Sequence, residues 1–170
     1  LPGALSVEAL WERDSQGTNL TSDAPPERWG IAPEDIMCAD PDASGDRTWS
    51  RRGGYVRGFE RIFDPTGFSL SAAEIERLDP LFQWTLHTAR AALRDAGEPA
   101  GRVGAIFGNL SFPSAGLSRY AESEWLRSAL PEAARARLDL EDIDPRNRFM
   151  SGLPALLLKK AMALSGECFA

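Results

Sequence analysis

The segment Val103-Gly-Ala-Ile-Phe-Gly108 constrains this chain more than any other. A short apolar run fenced by glycines reads as a β-strand buried on both faces, as in a parallel sheet flanked by helices. What precedes it fits. Ser71-Ala-Ala-Glu74 is a capping-box pattern, in which the serine oxygen takes an orphan helix amide and the glutamate reaches back. Ile75 and Leu78 follow at helical spacing, and Pro80 then interrupts. The pattern predicts a short helix, a break, and a second helix starting at Asp79–Pro80, with aspartate at the cap and proline at the first helical position. That helix carries Phe82, Leu86, Ala89 and Leu93 on one stripe. It stops at Asp95-Ala-Gly97, where Gly97 suits a left-handed cap and Pro99 lies just beyond. Helix, tight cap, short loop and buried strand make half of an α/β unit.

The rest of the chain supplies further pieces. Residues 5–13 read as a short amphipathic helix capped by Ser6, with Val7, Leu10 and Trp11 on one face. Thr21 to Trp29 is extended because Pro25-Pro26 blocks a helix. Residues 39–46 are rich in Asp, Gly, Ser and Pro and mark an exposed loop. A short extended run follows at Arg51–Gly58. Residues 114–129 form a helix with Leu117, Tyr120 and Trp125 as inward candidates, and Pro131 to Leu140 is a charged, alanine-rich helix or loop. Ser151 to Gly166 reads as one largely buried helix, capped by Ser151, tolerant of Pro154 in its first turn and ended by Gly166. Cys168-Phe-Ala170 begins a strand. Such apolar elements at a terminus need a surface to pack on, which leads us to expect a piece of a longer chain.

Composition narrows the function classes. The 170 residues are 43% hydrophobic and 26% charged, with a net charge of -6. That is an ordinary globular balance, and its sign argues against nucleic acid and anionic membranes as partners. No apolar run approaches the ~20 residues of a spanning helix. Cys38, Cys168 and His87 are too few and too scattered for a zinc site, so no metal is expected; a reduced, cytoplasmic protein is the expectation. Nucleotide-binding, serine-hydrolase and zinc-protease signatures do not occur. Gly101, Gly104 and Gly108 read as packing glycines. His87 sits mid-helix with no acid or thiol tied to it by spacing, and Glu141-Asp-Ile-Asp144 reads as solvated loop. Cys168 follows a helix C-terminus, where the dipole disfavours a thiolate, and reads as a small buried hydrophobe. The five arginines between Arg47 and Arg61 read as a solvated, salt-bridged loop, with an anion-contacting patch as the functional alternative.

In order along the chain, these pieces resemble the N-terminal half of a β-ketoacyl synthase (ketosynthase) domain of a type I polyketide or polyunsaturated-fatty-acid synthase. Leu1-Pro-Gly-Ala4 is similar to the segment after the family's first strand, and Val7-Glu-Ala-Leu-Trp11 to its next helix. Pro25-Pro-Glu-Arg-Trp29 resembles the family's PxxRW stretch. Gly53-Gly54, Phe63-Asp64, Phe68, Ser71 and Glu74 fall in its next pattern. Leu78-Asp-Pro80 and Ala91-Ala-Leu-Arg-Asp-Ala-Gly97 match the paired DP and DAG motifs. Val103–Gly108 resembles the TGVFVG strand, and Ser151–Gly166 the helix ahead of the nucleophile strand. Leu81-Phe82 departs from the usual glutamine pair, and Leu157 stands where an arginine is common.

The resemblance implies a thiolase-like α/β fold, layered αβαβα, of which residues 1–170 are part of the N-terminal half. It implies decarboxylative Claisen condensation on a cysteine thioester, with malonyl delivered on the phosphopantetheine of an acyl carrier protein and no cofactor bound by the domain itself. The nucleophilic cysteine is expected just beyond Ala170, with two histidines further on, so no catalytic residue is assigned here. Implied partners are the remainder of the ketosynthase domain, acyl carrier protein, an acyltransferase domain of the same multienzyme, and a second copy in a homodimer. Phe112, Phe149 and Met150 are candidates to line the acyl pocket or the dimer seam. Arg51 and Arg52 are candidates to meet the acidic carrier protein or the phosphopantetheine phosphate. Two alternatives stand beside this: a non-catalytic partner of chain-length-factor type, and a stand-alone α/β interaction domain.

Overall fold

The computed structural model describes residues 1–25, 28–40, 45, 47–97, 101–108, 114–136, 143–148 and 152–170. It divides into two compact units, Leu1–Ile62 and Phe63–Ala170.

The first unit holds helix α1 (Val7–Ser15), strand β1 (Ser22–Asp23), helix α2 (Pro33–Ile36) and strand β2 (Arg52–Gly53). Ser6 caps α1 by accepting the Ala9 N–H, as its position predicts. The expected inward face of α1 is not buried, since Val7 and Trp11 stay more than 70% exposed. β1 and β2 pair antiparallel, with Ser22 opposite Gly53 and Asp23 opposite Arg52.

The second unit contains α3 (Ala72–Glu76), α4 (Pro80–Asp95), β3 (Ala105–Ile106), α5 (Ala115–Ala129), α6 (Glu132–Arg135), a 3-10 turn (Pro145–Arg148), α7 (Leu153–Ala161) and β4 (Cys168–Phe169). Both halves of the Ser71–Glu74 capping box form. The break at Asp79–Pro80 falls where the sequence places it, and Gly97 takes a φ of 78° at the end of α4. Gln83 closes the break by donating to the carbonyls of Ile75 and Leu78, both 3.2 Å away.

Packing explains the order of these elements. Ile75, Leu86, Leu158 and Ala161 form one buried cluster; Leu78, Phe82 and Leu157 form a second, and Leu70 packs against both. α4 therefore lies on α7. Phe82 and Leu157 lie together inside the second cluster. Apolar burial of this kind contributes about 1.5–3 kcal/mol for each large side chain.

β3 and β4 run parallel, with Ala105 opposite Cys168 and Ile106 opposite Phe169. Two glycines let them meet. A Cβ on Gly166 would stand 2.6 Å from the Val103 carbonyl, and one on Gly104 would collide with the Glu167 carbonyl. Several sequence expectations change here. β3 is covered on one face only, because Ile106 is 77% exposed, as is its neighbour Phe169 at 53%. α7 ends at Ala161 rather than at Gly166, where the sequence places its end; Ala163 adopts a left-handed turn (φ 51°), and Gly166 instead allows the strand approach. Trp125 points to solvent at 65% exposure, while Ser123 is the buried residue of α5. The expected cap Ser151 lies outside the described residues, as do parts of the loops at 39–46 and 131–140.

Replacing Phe82 with Ala empties the second cluster, and we expect about 3–5 kcal/mol of lost stability in denaturant titration. Gly166→Ala separates the strands. Hydrogen exchange of the Ala105 and Phe107 amides, which donate to Glu167 and Phe169 at 3.0 and 2.9 Å, then accelerates while α4 amides keep their protection.

Candidate functional site

Three elements of the second unit converge on one carboxylate. Asp79 is 6% exposed. Its Oδ1 accepts the Leu81 N–H of α4 at 2.9 Å, and its Oδ2 accepts the Gly116 N–H of α5 at 2.7 Å. Its own N–H donates to Oδ1 of Asn147 at 2.6 Å, and Asn147 Nδ2 donates to the Arg77 carbonyl at 3.1 Å. The N-termini of two long helices thus share one anion, the charge that their unsatisfied N–H groups and dipoles favour. Ser114 serves the next donor of α5 by accepting from Leu117 at 3.1 Å. Gly116 must lack a side chain, because a Cβ there would lie 2.5 Å from Asp79 Oδ2. An open depression of about 600 Å³ borders this joint, lined also by Arg77, Arg119 and Ile143.

A second set of charges lies beside it. Arg146 Nε donates to both oxygens of Asp144, at 2.9 and 3.1 Å, and Nη1 stands 3.6 Å from Glu74 Oε1. Asp144 is 8% exposed, so the expected solvated loop is corrected at this residue: the sequence shows the acidic cluster but not the arginine that closes on it. The hydrogen bond from Arg146 holds the Asp144 carboxyl below its ordinary 3.8 against the opposing effect of burial. Glu74 is also lowered, first by the Ser71 hydroxyl of the capping box and then by the Ser71 N–H.

The candidate residues fall elsewhere. Arg51 Nη2 meets Asp23 Oδ2 at 2.9 Å, and both side chains are about half exposed. Arg52 donates to the Thr21 carbonyl and hydroxyl at 3.3 and 3.2 Å, and Arg57 to the Asp23 carbonyl at 2.9 Å. The two arginines therefore sit on the β1–β2 pair in the first unit. Phe112, Phe149 and Met150 lie outside the described residues. Cys168 is half-buried on β4, with Sγ 4.0 Å from the Gly166 carbonyl, and both cysteines are free thiols. Burial, with Arg90 as the lesser cause, lowers the His87 imidazole below its ordinary 6.5. Arg90 itself donates to the Thr66 and Asp64 carbonyls, at 2.8 and 2.6 Å, and lies 4.5 Å over the Phe68 ring. Among the described residues no group of His, Cys, Asp and Glu could hold a metal ion, and no helix is long and apolar enough to cross a membrane.

Asp79 at a helix start is legible in the sequence, but its bonds to residues 116 and 147 are not. Nothing in the spacing of these residues links them.

This framework of helices around a parallel strand pair has close counterparts. The solved structure titled "PfaC Keto synthase-Chain length factor" matches with a TM-score of 0.73 and 26% identity, covering 98% of this chain and 19% of that one. The family model "Beta-ketoacyl synthase, N-terminal domain" matches residues 1–135. The chain belongs to the β-ketoacyl synthase family, and its fold is the N-terminal portion of the thiolase-like ketosynthase fold. The PKS-NRPS hybrid synthetase acdB of Aspergillus candidus is 40% identical over 98 residues, which are 57% of this chain and 4% of that protein. Polyketide synthase PksR of Bacillus subtilis is 34% identical over 96 residues, 56% of this chain and again 4% of the relative. The chain thus spans only a small fraction of the curated relatives it matches.

The Asp144 pair has a pH signature. A carboxyl whose folded pKa is depressed stabilises fully above its unfolded value and loses that contribution as pH falls through the folded one. We expect Asp144→Asn to be less stable than the parent at pH 7, with the gap narrowing as pH drops below about 3.8, measured as unfolding midpoints across pH.

Proposed function

We propose that this chain is the N-terminal framework of a condensing ketosynthase domain within a polyketide-type multienzyme. The observation that carries this is the family match over residues 1–135, joined to a structural likeness that extends over 98% of the chain. In the proposed reaction, an acyl group sits as a thioester on a cysteine that follows β4. Malonyl on the phosphopantetheine of an acyl carrier protein loses carbon dioxide. The carbanion left behind attacks the acyl carbonyl, forming the new carbon–carbon bond, and the cysteine thiolate leaves. The product is a β-ketoacyl carrier-protein thioester, and developing negative charge on the carbonyl oxygen is met by hydrogen-bond donors of the complete domain.

The chain's own contributions follow from its geometry. β3 and β4 form a parallel pair at a glycine-permitted approach, and α7 packs the core that backs it. A parallel strand pair backed by helices is the support on which a strand-end nucleophile is held. Neither Cys168 nor Cys38 is the proposed nucleophile. Phe112, Phe149 and Met150 line the acyl pocket or the subunit seam in this reading, and the parent domain works as a homodimer beside an acyltransferase domain. Arg51 and Arg52 meet the acidic carrier protein or its phosphate. Arg51 is half exposed, and its solvated pairing with Asp23 is of the kind worth at most about 1 kcal/mol, so it can exchange partners.

The intact synthase, incubated with an acyl thioester and malonyl carrier protein, should release carbon dioxide and yield the β-ketoacyl product. Peptide mass spectrometry should find the acyl group on a cysteine other than Cys38 and Cys168. Acylation of Cys168, or no condensation at all, removes the reading. Arg51→Ala with Arg52→Ala should raise KM for carrier-bound malonyl by about tenfold and leave kcat nearly unchanged, as loss of two phosphate or carboxylate contacts would. An unchanged KM removes the carrier-protein contact.

A further inference from the structure

We propose that the depression beside the C-terminal half of α4 binds a small amphipathic anion, with an oxyanion head at Arg90 and Arg94 and an apolar tail on Phe68, Leu93, Val103 and Met162. The inference does not rest on the condensing function. The depression measures about 520 Å³, within the range of small-molecule sites, and is bordered by α4, the loop before α3, the approach to β3 and the end of α7. One cation in it is pinned. Arg90 donates to the Thr66 and Asp64 carbonyls at 2.8 and 2.6 Å and lies 4.5 Å over the Phe68 ring. Those bonds leave part of its five-donor fork unspent. Arg94 follows one turn along α4, exposed, with no hydrogen bond or ion pair among the described residues. Two cations at this spacing on a helix repel each other. Among the described residues no acid lines the depression to balance them. Asp64, whose carboxyl both arginines act on, accepts the Thr66 N–H and hydroxyl on Oδ1, at 2.9 and 2.7 Å. The last turn of a helix favours a cation such as Arg94 without any ligand. That does not account for apolar side chains left open beside a pair of guanidinium groups. An oxyanion between the arginines removes their repulsion and matches the planar fork. An attached apolar body covers side chains that otherwise meet water, and the unbranched Met162 adapts to its shape.

The test uses the intact synthase and a decanoate analogue that carries a diazirine near its apolar end and crosslinks on irradiation to whatever lies against it. Peptide mass spectrometry should place the label on peptides that hold Phe68, Leu93, Val103 or Met162. Decanoate should displace the probe from these peptides. Decanol, which lacks the charge, and acetate, which lacks the tail, should not. Displacement by decyl phosphate as well assigns a general oxyanion head, and displacement by decanoate alone assigns a carboxylate. Arg94→Gln should raise the half-saturating probe concentration by about tenfold, as loss of a charged hydrogen bond does. Its thermal midpoint should stay at the parent value, because Arg94 makes no bond among the described residues. Arg127→Gln, which removes a cation on α5 outside the depression, should leave labelling unchanged. Label that avoids the four positions, equal half-saturation in the parent and Arg94→Gln, or displacement by decanol as effective as by decanoate overturns the inference. No arm reads condensation, so failure here leaves the proposed function standing, and a synthase that does not condense leaves this site standing.

Discussion

The second unit depends on the carboxylate of Asp79, which sits where the N-termini of α4 and α5 meet and where Asn147 closes from a third side. Each helix start leaves N–H groups that must find acceptors, and burying them without partners costs about 1–3 kcal/mol apiece. One ionised side chain serves a donor from each helix, and its negative charge lies at the positive end of both dipoles. That sharing sets how close the helices approach, and it explains why α5 begins with a glycine in its first turn.

Around this joint the apolar core follows from simple spacing. Ile75 of α3 and Leu86 of α4 meet Leu158 and Ala161 of α7, while Leu78 at the break and Phe82 of α4 meet Leu157. Phe82 and Leu157 are both buried within one cluster, and Leu81 packs against it. Gln83, the polar residue that follows, spends its amide on the two carbonyls left open at the break between the helices. The strand pair is organised differently, by what is missing. Gly104 and Gly166 leave room for the neighbouring backbone, and β3 and β4 exchange hydrogen bonds that a methyl group would block.

Much of this was legible in advance where the cause is local. The capping box at Ser71–Glu74, the Asp79–Pro80 start and the Gly97 stop depend on residues within one helical turn, and each forms as the sequence implies. Expectations failed where the cause is distant. Trp125 has the spacing of an inward residue, yet it is Ser123 that is buried: α5 lies against the 3-10 turn at Pro145–Arg148, and it is Leu117 that packs against the second apolar cluster. Gly166 looks like a helix stop, but Ala163 takes the left-handed turn and the glycine is required by a strand more than sixty residues away.

The sequence by itself determined the family, the order of helices and strands, and the ends of the principal helices, because these rest on short-range chemistry: capping, proline and glycine geometry, and apolar period. Tertiary structure alone decided that Asp79 serves two helices and Asn147, that Asp144 is paired with Arg146, and that Gly104 and Gly166 face each other across β3 and β4. Those facts join residues tens of positions apart or depend on a loop's path. Only a chain folded back on itself brings such donors and acceptors within hydrogen-bonding distance.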